Sequence, residues 1–472
     1  MERTGEYIDA SSRMLDYRGM RSLYSQDNVY QAWLDVEAAA ALVQADMGII
    51  PREAGEAIAA LCRLDQLDMA RVEADYARMR HPLMPLLHEL VRKCGPDHGR
   101  FVHWGLATQN IQQTTTLLLA QRGHRVLLDV LVDIIAHLSD LASRHAEAPM
   151  AGRTHGQHAV PITLGFKLAI WIDELLQAYE RLRAVEPRVF TVTMGGAVGA
   201  FNAIGPKGPE MQRRVAARLG MHDMSLPSRS NRTHMAEYVQ VLALTASTFH
   251  KMADEVAQSS SVEYGELFEV FADGVIGSST MPQKVNPKLS MGLMANCHKL
   301  YGLSSMILTT AHRPFEGDAC ANVIYDTGCA EVMEIAIGIF VRAEALVAGL
   351  RPDLARMERN LHGSDGRIFS EGIMMKLAKK IGKAEAHDVV YRAAMDSVAG
   401  KGSFFELVRT DENEALLFDR TENGLTLKTD GLFGLSTLYA NSFAEKGRSL
   451  SLAHRGEVEE AGGQRAGACV GC

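Results

Sequence analysis

The sequence predicts an all-α protein whose middle is a bundle of long helices. Three observations carry this. Three segments hold apolar residues alternately three and four apart over many turns, the spacing of helices packed nearly parallel. Two further long segments repeat that spacing less regularly, and strand signals are sparse along the whole chain.

The N-terminal hundred residues hold shorter helices, such as 28–48, closed by Gly48 and followed by Pro51, the usual stop signals. The first long helix is expected over 111–146, with Leu127, Leu131, Ile134, Leu138 and Leu141 as its seam. Uninterrupted, it would be roughly 50 Å long at about 1.5 Å per residue. The second carries Leu168, Ile172, Leu175, Tyr179 and Leu182 and is expected to end at Pro187. The third is the most regular, running Met235, Val239, Leu242, Ala246, Phe249, Ala253 and Val256. The fourth and fifth are expected over 288–311 and 325–350, and short helices resume after 363. Residues 189–193 give the best strand signal, as an extended lead into a loop. The expected domains are 1–110, a central bundle over 111–362, and 363–460, followed by a flexible Gly-rich tail, 461–472, containing Cys469 and Cys472 as a lone CxxC. Three heptad seams exceed what one small bundle needs, so bundles from several subunits are expected to pack together.

Composition narrows the function. The chain has 472 residues and a net charge of -8, the wrong sign for an affinity that rests on neutralising phosphate backbone. Hydrophobic residues at 47% and charged residues at 22% exclude disordered and collagenous classes. No run of about 18 apolar residues is present, the opening residues lack the apolar core expected of a secretory signal, and seven scattered cysteines are not expected to form a disulfide framework. A cytoplasmic protein is expected.

The stretch from Gly274 to Lys288 concentrates small residues, two serines and cations between two long helices. Gly277 lets successive backbone N–H groups converge into a concavity for a carboxylate, and Lys284 supplies a full positive charge beside it. The glycine run from Gly195 to Asn202 follows no clear βαβ strand, which argues against a dinucleotide site. His155 and His158 lie three apart, but no carboxylate or cysteine completes a zinc set. Neither metal nor cofactor is expected.

Gly277-Ser278-Ser279-Thr280-Met281-Pro282-Gln283-Lys284-Val285-Asn286 resembles the signature loop of the fumarase/aspartase superfamily. The stretches from Arg153 to Pro161 and from His103 to Asn110 resemble its other two signature regions, in the forms found in adenylosuccinate lyases and carboxymuconate cycloisomerases. The resemblance spans nearly the whole chain. It implies a homotetramer with a twenty-helix core, five helices per subunit, and active sites built from three subunits. It also implies β-elimination from a succinyl group of a small di- or tricarboxylate, through an aci-carboxylate carbanion. Carried over by motif, Ser278 is the base. Lys284 and Asn286 bind the carboxylate beside the carbon that loses its proton, together with Ser279 and Met281 of the same loop. Thr108, Asn110 and Gln157 match substrate-binding positions. His155 is the acid for the leaving group, a task suited to an imidazole, and His81 matches a further active-site histidine. His103 and His158 read as structural.

Four departures from the family narrow the substrate. The opening Arg-Tyr pair of adenylosuccinate lyases is replaced by Met14 and Leu15, and their later SSxxR element is absent from 316–322, so a nucleotide is not expected. The first region reads Ala107-Thr108-Gln109-Asn110, one hydroxyl and one negative charge short of the usual form. Met291 stands where a glutamate would pair with the acid histidine, which removes that histidine's electrostatic support. The expected activity is a carbon–nitrogen lyase acting on a small N-substituted aspartate. The alternatives are an epimerase of an iminodisuccinate-like compound, a carboxymuconate-type cycloisomerase, and a non-catalytic scaffold.

Overall fold

The computed structural model describes residues 12–270, 274–422 and 424–469. Helices dominate. Among the described residues the strands form only four two-stranded ribbons. The five expected long helices are Thr108–Arg144, Leu164–Val189, Thr233–Ser259, Lys288–Thr309 and Ala319–Ala348. The seam of the third is buried along its whole length, from Met235 to Val256. Pro187 lies inside the second helix, not at its end. A proline in the last turn costs only one backbone hydrogen bond, so the helix continues two residues past it. No described helix is long and apolar enough to cross a membrane.

The chain divides into two compact units, 1–131 with 177–250 and 292–343, and 132–176 with 251–291 and 344–472. The expected boundaries at 110, 362 and 460 follow the order of the chain, whereas packing gathers separated segments.

In the first unit the helix Gln26–Asp46 starts at Ser25, whose hydroxyl accepts from the Asn28 N–H, and Gly48 at φ 61° closes it. Its core includes Phe249 and Phe340, edge to face at 5.0 Å, worth about 1 kcal/mol beyond area burial. Buried His124 bonds Tyr238 and Glu186. The expected lead at 189–193 is a two-residue strand, Thr191–Val192, paired in parallel with His222–Asp223.

In the second unit, Phe369, Ile373, Leu377, Val390 and Phe404 form a separate core among the C-terminal helices. The last helix, Ser436–Cys469, ties back to the first long helix through Ser451 Oγ and the Val132 carbonyl. Helical backbone therefore continues through 461–469 of the segment expected as a flexible tail. Cys472 lies outside the described residues.

Candidate active site

The signature loop is pinched shut at its base. A Cβ on Gly277 would stand 2.4 Å from the Lys284 carbonyl oxygen and 3.1 Å from Val285 Cα, so only glycine lets the two arms approach. Asn286 Nδ2 donates to the Gly277 carbonyl at 3.2 Å, and Lys288 Nζ to that of Ile276 at 2.8 Å. Within this frame Ser278 Oγ accepts from the Met281 N–H at 3.1 Å and the Thr280 N–H at 3.4 Å. Backbone donors aimed at a serine oxygen stabilise its negative form. Lys284 is exposed, and among the described residues its ammonium has no partner. The loop thus offers one oxygen primed for anionic character and one uncompensated cation. Glu269 fastens the far end by accepting from the N–H groups of Leu289 and Ser290, which also places a carboxylate at a helix N-terminus.

The second region is a β-hairpin, Pro149–Thr154 with Gln157–Thr163, where no strand was expected. The strands are short, and the bulge at Gly152 breaks their alternation, which conceals the hairpin in the sequence. His155 and Gly156 form the two-residue turn with φ of 53° and 76°, both left-handed as a type I′ hairpin requires. A non-glycine residue held there costs about 1 kcal/mol or more. The turn exposes His155 and Gln157. It is anchored by Arg153, whose guanidinium donates to both oxygens of buried Glu266 at 2.6 and 2.8 Å. Asn360 Nδ2 adds a bond to the same carboxylate at 2.7 Å. Glu266 and Asn360 carried no sequence signal, because their role is defined only by a partner about a hundred residues away. Half-buried His158 sits across the hairpin from Arg153, and burial lowers its pKa.

In the first unit, half-buried Thr108 opens the first long helix. Asn110 is buried and committed to the fold: its Oδ1 accepts from the Ala107 N–H at 2.9 Å and its Nδ2 donates to the Gly196 carbonyl at 3.2 Å. Its contacts are those of a positioning residue. The run from Gly195 to Asn202 is a tight loop, with the Phe201 N–H bonded to the Gly195 carbonyl at 2.9 Å. His81 Nδ1 accepts from the N–H groups of Leu83 and Met84, at the start of the helix Met84–Gly99, and burial lowers its pKa. Nδ1 serves as a helix cap, leaving Nε2 as the ring's free nitrogen. His103 Nδ1 meets buried Glu37 at 2.5 Å. Met291 is half exposed in the first turn of the fourth long helix.

Ser278, Ser279, Met281, Lys284 and Asn286 thus share one loop, and His155 and Gln157 share one turn. Among the described residues no hydrogen bond joins the loop to the turn. A cavity of about 700 Å³ in the second unit, bordered by Phe166, Phe369, Leu432 and Tyr439, contains none of these residues.

Residues 15–302 match the family model described as "Lyase", and 366–425 that described as "Adenylosuccinate lyase C-terminus". The chain belongs to the fumarase/aspartase superfamily. It lies on the branch of adenylosuccinate lyases and carboxymuconate cycloisomerases, and it is an enzyme of the lyase or isomerase type. It is 34% identical to an N-acetyl-S-(2-succino)cysteine lyase of Enterococcus italicus over 82% of this chain and 85% of that one. It is 33% identical to a 3-carboxy-cis,cis-muconate cycloisomerase of Pseudomonas aeruginosa over 80% of this chain and 83% of the other. The crystal structure of a fumarate lyase from Mesorhizobium sp. BNC1 superposes with a TM-score of 0.80 at 30% identity, covering 91% of this chain and 98% of that one. This likeness supports superfamily elimination chemistry on a small dicarboxylate without selecting the bond broken.

Proposed function

We propose that the protein catalyses reversible β-elimination of the C–N bond of a small N-substituted aspartate, giving fumarate and an amine. The observation that carries this reading is the pair of backbone N–H groups at Ser278 Oγ in the loop that bears the unpaired Lys284. The Ser278 alkoxide takes the Cβ proton, and the electron pair moves into the adjacent carboxylate. Lys284 and Asn286 hold the resulting aci-carboxylate dianion. The pair then returns to form the double bond as the Cα–N bond breaks. His155 delivers the proton to the departing nitrogen. Thr108 and Gln157 bind the carboxylates, and Asn110 holds the helix that carries Thr108. The same reading takes the enzyme as a homotetramer with shared sites. Leu244, Leu308 and Val323 on the long helices are 55–65% exposed, and such apolar surface calls for a covering partner.

A second reading, cleavage of a C–S bond in a 2-succinyl thioether, is favoured by Met291 and by the likeness to the N-acetyl-S-(2-succino)cysteine lyase. A thiolate, with a thiol pKa near about 8.5, departs without an acid, whereas an amine does not. Incubating the protein with N- and S-substituted succinates and following fumarate by ultraviolet absorbance separates the two. Ser278→Ala is expected to abolish fumarate release from either while leaving the oligomer intact, and full activity in that variant would refute the base assignment.

A further inference from the structure

Outside the signature loop, the first unit gathers cations that its own acids do not balance. Gln109 follows Thr108 in the chain and is buried, with its Oε1 accepting from Arg229 Nη2 and from Asn322 Nδ2. Asn322 Oδ1 in turn accepts from Arg313 Nη1 at 2.6 Å. Arg313 also reaches the carbonyls of Thr310 and Arg229, and Arg229 that of Ala197. Arg232 is only 2% exposed and stacks 4.1 Å over the Tyr325 ring. Four guanidinium nitrogens here are buried without a hydrogen-bond partner: Arg229 Nε, Arg232 Nε and Nη2, and Arg313 Nη2. The acids facing them are Asp326 and Asp318. Burial raises the Asp326 pKa against the pull of Arg232 and Arg313, and Asp318 caps the fifth long helix through the Ala321 N–H. Burial, and then Arg232, pushes Arg313 down to about 10. Arg232 is buried and Arg229 and Arg313 are half-buried, and unfilled donors on three neighbouring guanidiniums are costly where water is scarce unless an anion meets them.

We propose that Arg229, Arg232 and Arg313, with the amides of Gln109 and Asn322, form an anion site that takes a carboxylate on the departing arm of the substrate. The proposal rests on the elimination reading above. Guanidinium forks match a carboxylate bidentately. The cluster begins one residue from Thr108, and Asn322 comes from the segment that lacks the nucleotide-binding serines. The arm is therefore a small amino acid or succinyl group.

The test is a calorimetric titration of the Ser278→Ala protein with N-(carboxymethyl)aspartate and with N-propylaspartate, whose arms are of similar length and differ in carrying a carboxylate. The acidic arm is expected to bind at least about tenfold tighter, the scale of hydrogen bonds to charged groups. Arg229→Gln is expected to lower that preference about tenfold. Asn322→Asp, which sets a carboxylate inside the cluster, does the same and covers the case in which the arginine variant fails to fold. Equal affinities in the parent, or a preference unchanged in both variants, overturns the site. So does displacement of the acidic probe by inorganic phosphate but not by acetate. Fumarate release from the same compounds by the wild-type enzyme is followed separately. Its absence sinks the C–N reading, while the binding ratio still decides the anion site.

Discussion

Gly277→Ala tests whether the signature loop works by its shape. Ordinary contact begins at 3.4 Å, and the added Cβ would stand 2.4 Å from the Lys284 carbonyl oxygen, a shortfall of 3.4 − 2.4 = 1.0 Å. The obstructing atoms are backbone, so no rotamer change relieves the clash and the loop must open by about that distance. Overpacking of this kind costs about 1–3 kcal/mol. Because the loop is largely exposed, that strain is relieved by moving Lys284 away from Ser278 rather than by unfolding the protein. A displacement of about 1 Å at reacting groups costs about a hundredfold in rate, or about 2.7 kcal/mol in the barrier. The assay is fumarate release in the steady state, with the thermal midpoint measured alongside. Gly456→Ala is the control, since no atom lies within 4 Å of its added Cβ, and a helical alanine there is expected to raise stability by about 0.5–1 kcal/mol. Wild-type turnover in Gly277→Ala would refute the claim that the pinched backbone sets the catalytic geometry.

Two further outcomes follow from the structure. Glu266→Gln leaves Arg153 without its buried carboxylate and is expected to cost about 3–5 kcal/mol in urea unfolding and to lower kcat by misaiming the His155 turn; unaltered stability and rate would show that the hairpin needs no such anchor. Acid is expected to destabilise the protein through His234, which is 8% exposed, has Nε2 without a partner, and is pushed down to about 4 by burial. Below its ordinary value of 6.5 the unfolded chain binds a proton that the folded chain refuses. The contribution is therefore complete above that pH and falls away toward pH 4, by about 3 kcal/mol for a gap of 6.5 − 4 = 2.5. Unfolding midpoints at neutral and acid pH are compared with those of His234→Gln, and an equal loss in the variant would clear His234 of that role.

What the sequence reveals follows from how local each feature is. The third long helix is legible residue by residue because its seven seam positions all turn inward, and periodicity reports burial directly. The signature loop is legible for the same reason. Gly277 and Lys284, whose backbones nearly touch, are seven residues apart, so a short motif contains the whole device. The hairpin around His155 is hidden because a bulge breaks its alternation and its anchor, Glu266, lies far along the chain. The arginine cluster is hidden more deeply: Gln109, Arg229 and the stretch holding Arg313 and Asn322 lie far apart along the chain, and an arginine in a sequence carries no sign of whether its donors will be filled.

On the proposed elimination, Met291 links the signature loop to the choice of substrate. On the C–N reading, His155 delivers the proton to the leaving nitrogen with no carboxylate at position 291 beside it. An amine protonated as it departs on a plain alkyl arm would place a further cation on the arm that the proposed anion site receives among its guanidiniums. A carboxylate on that arm neutralises the ammonium at short range and supplies the acceptor that the arginines lack. On the C–N reading, the missing glutamate and the unfilled arginines therefore describe one requirement, an amino-acid-like leaving group. On the C–S reading the first observation needs no compensation, since a thiolate leaves unassisted, and the arginines alone select an acidic thiol. Both readings converge on an anionic arm and differ only in the atom through which it departs.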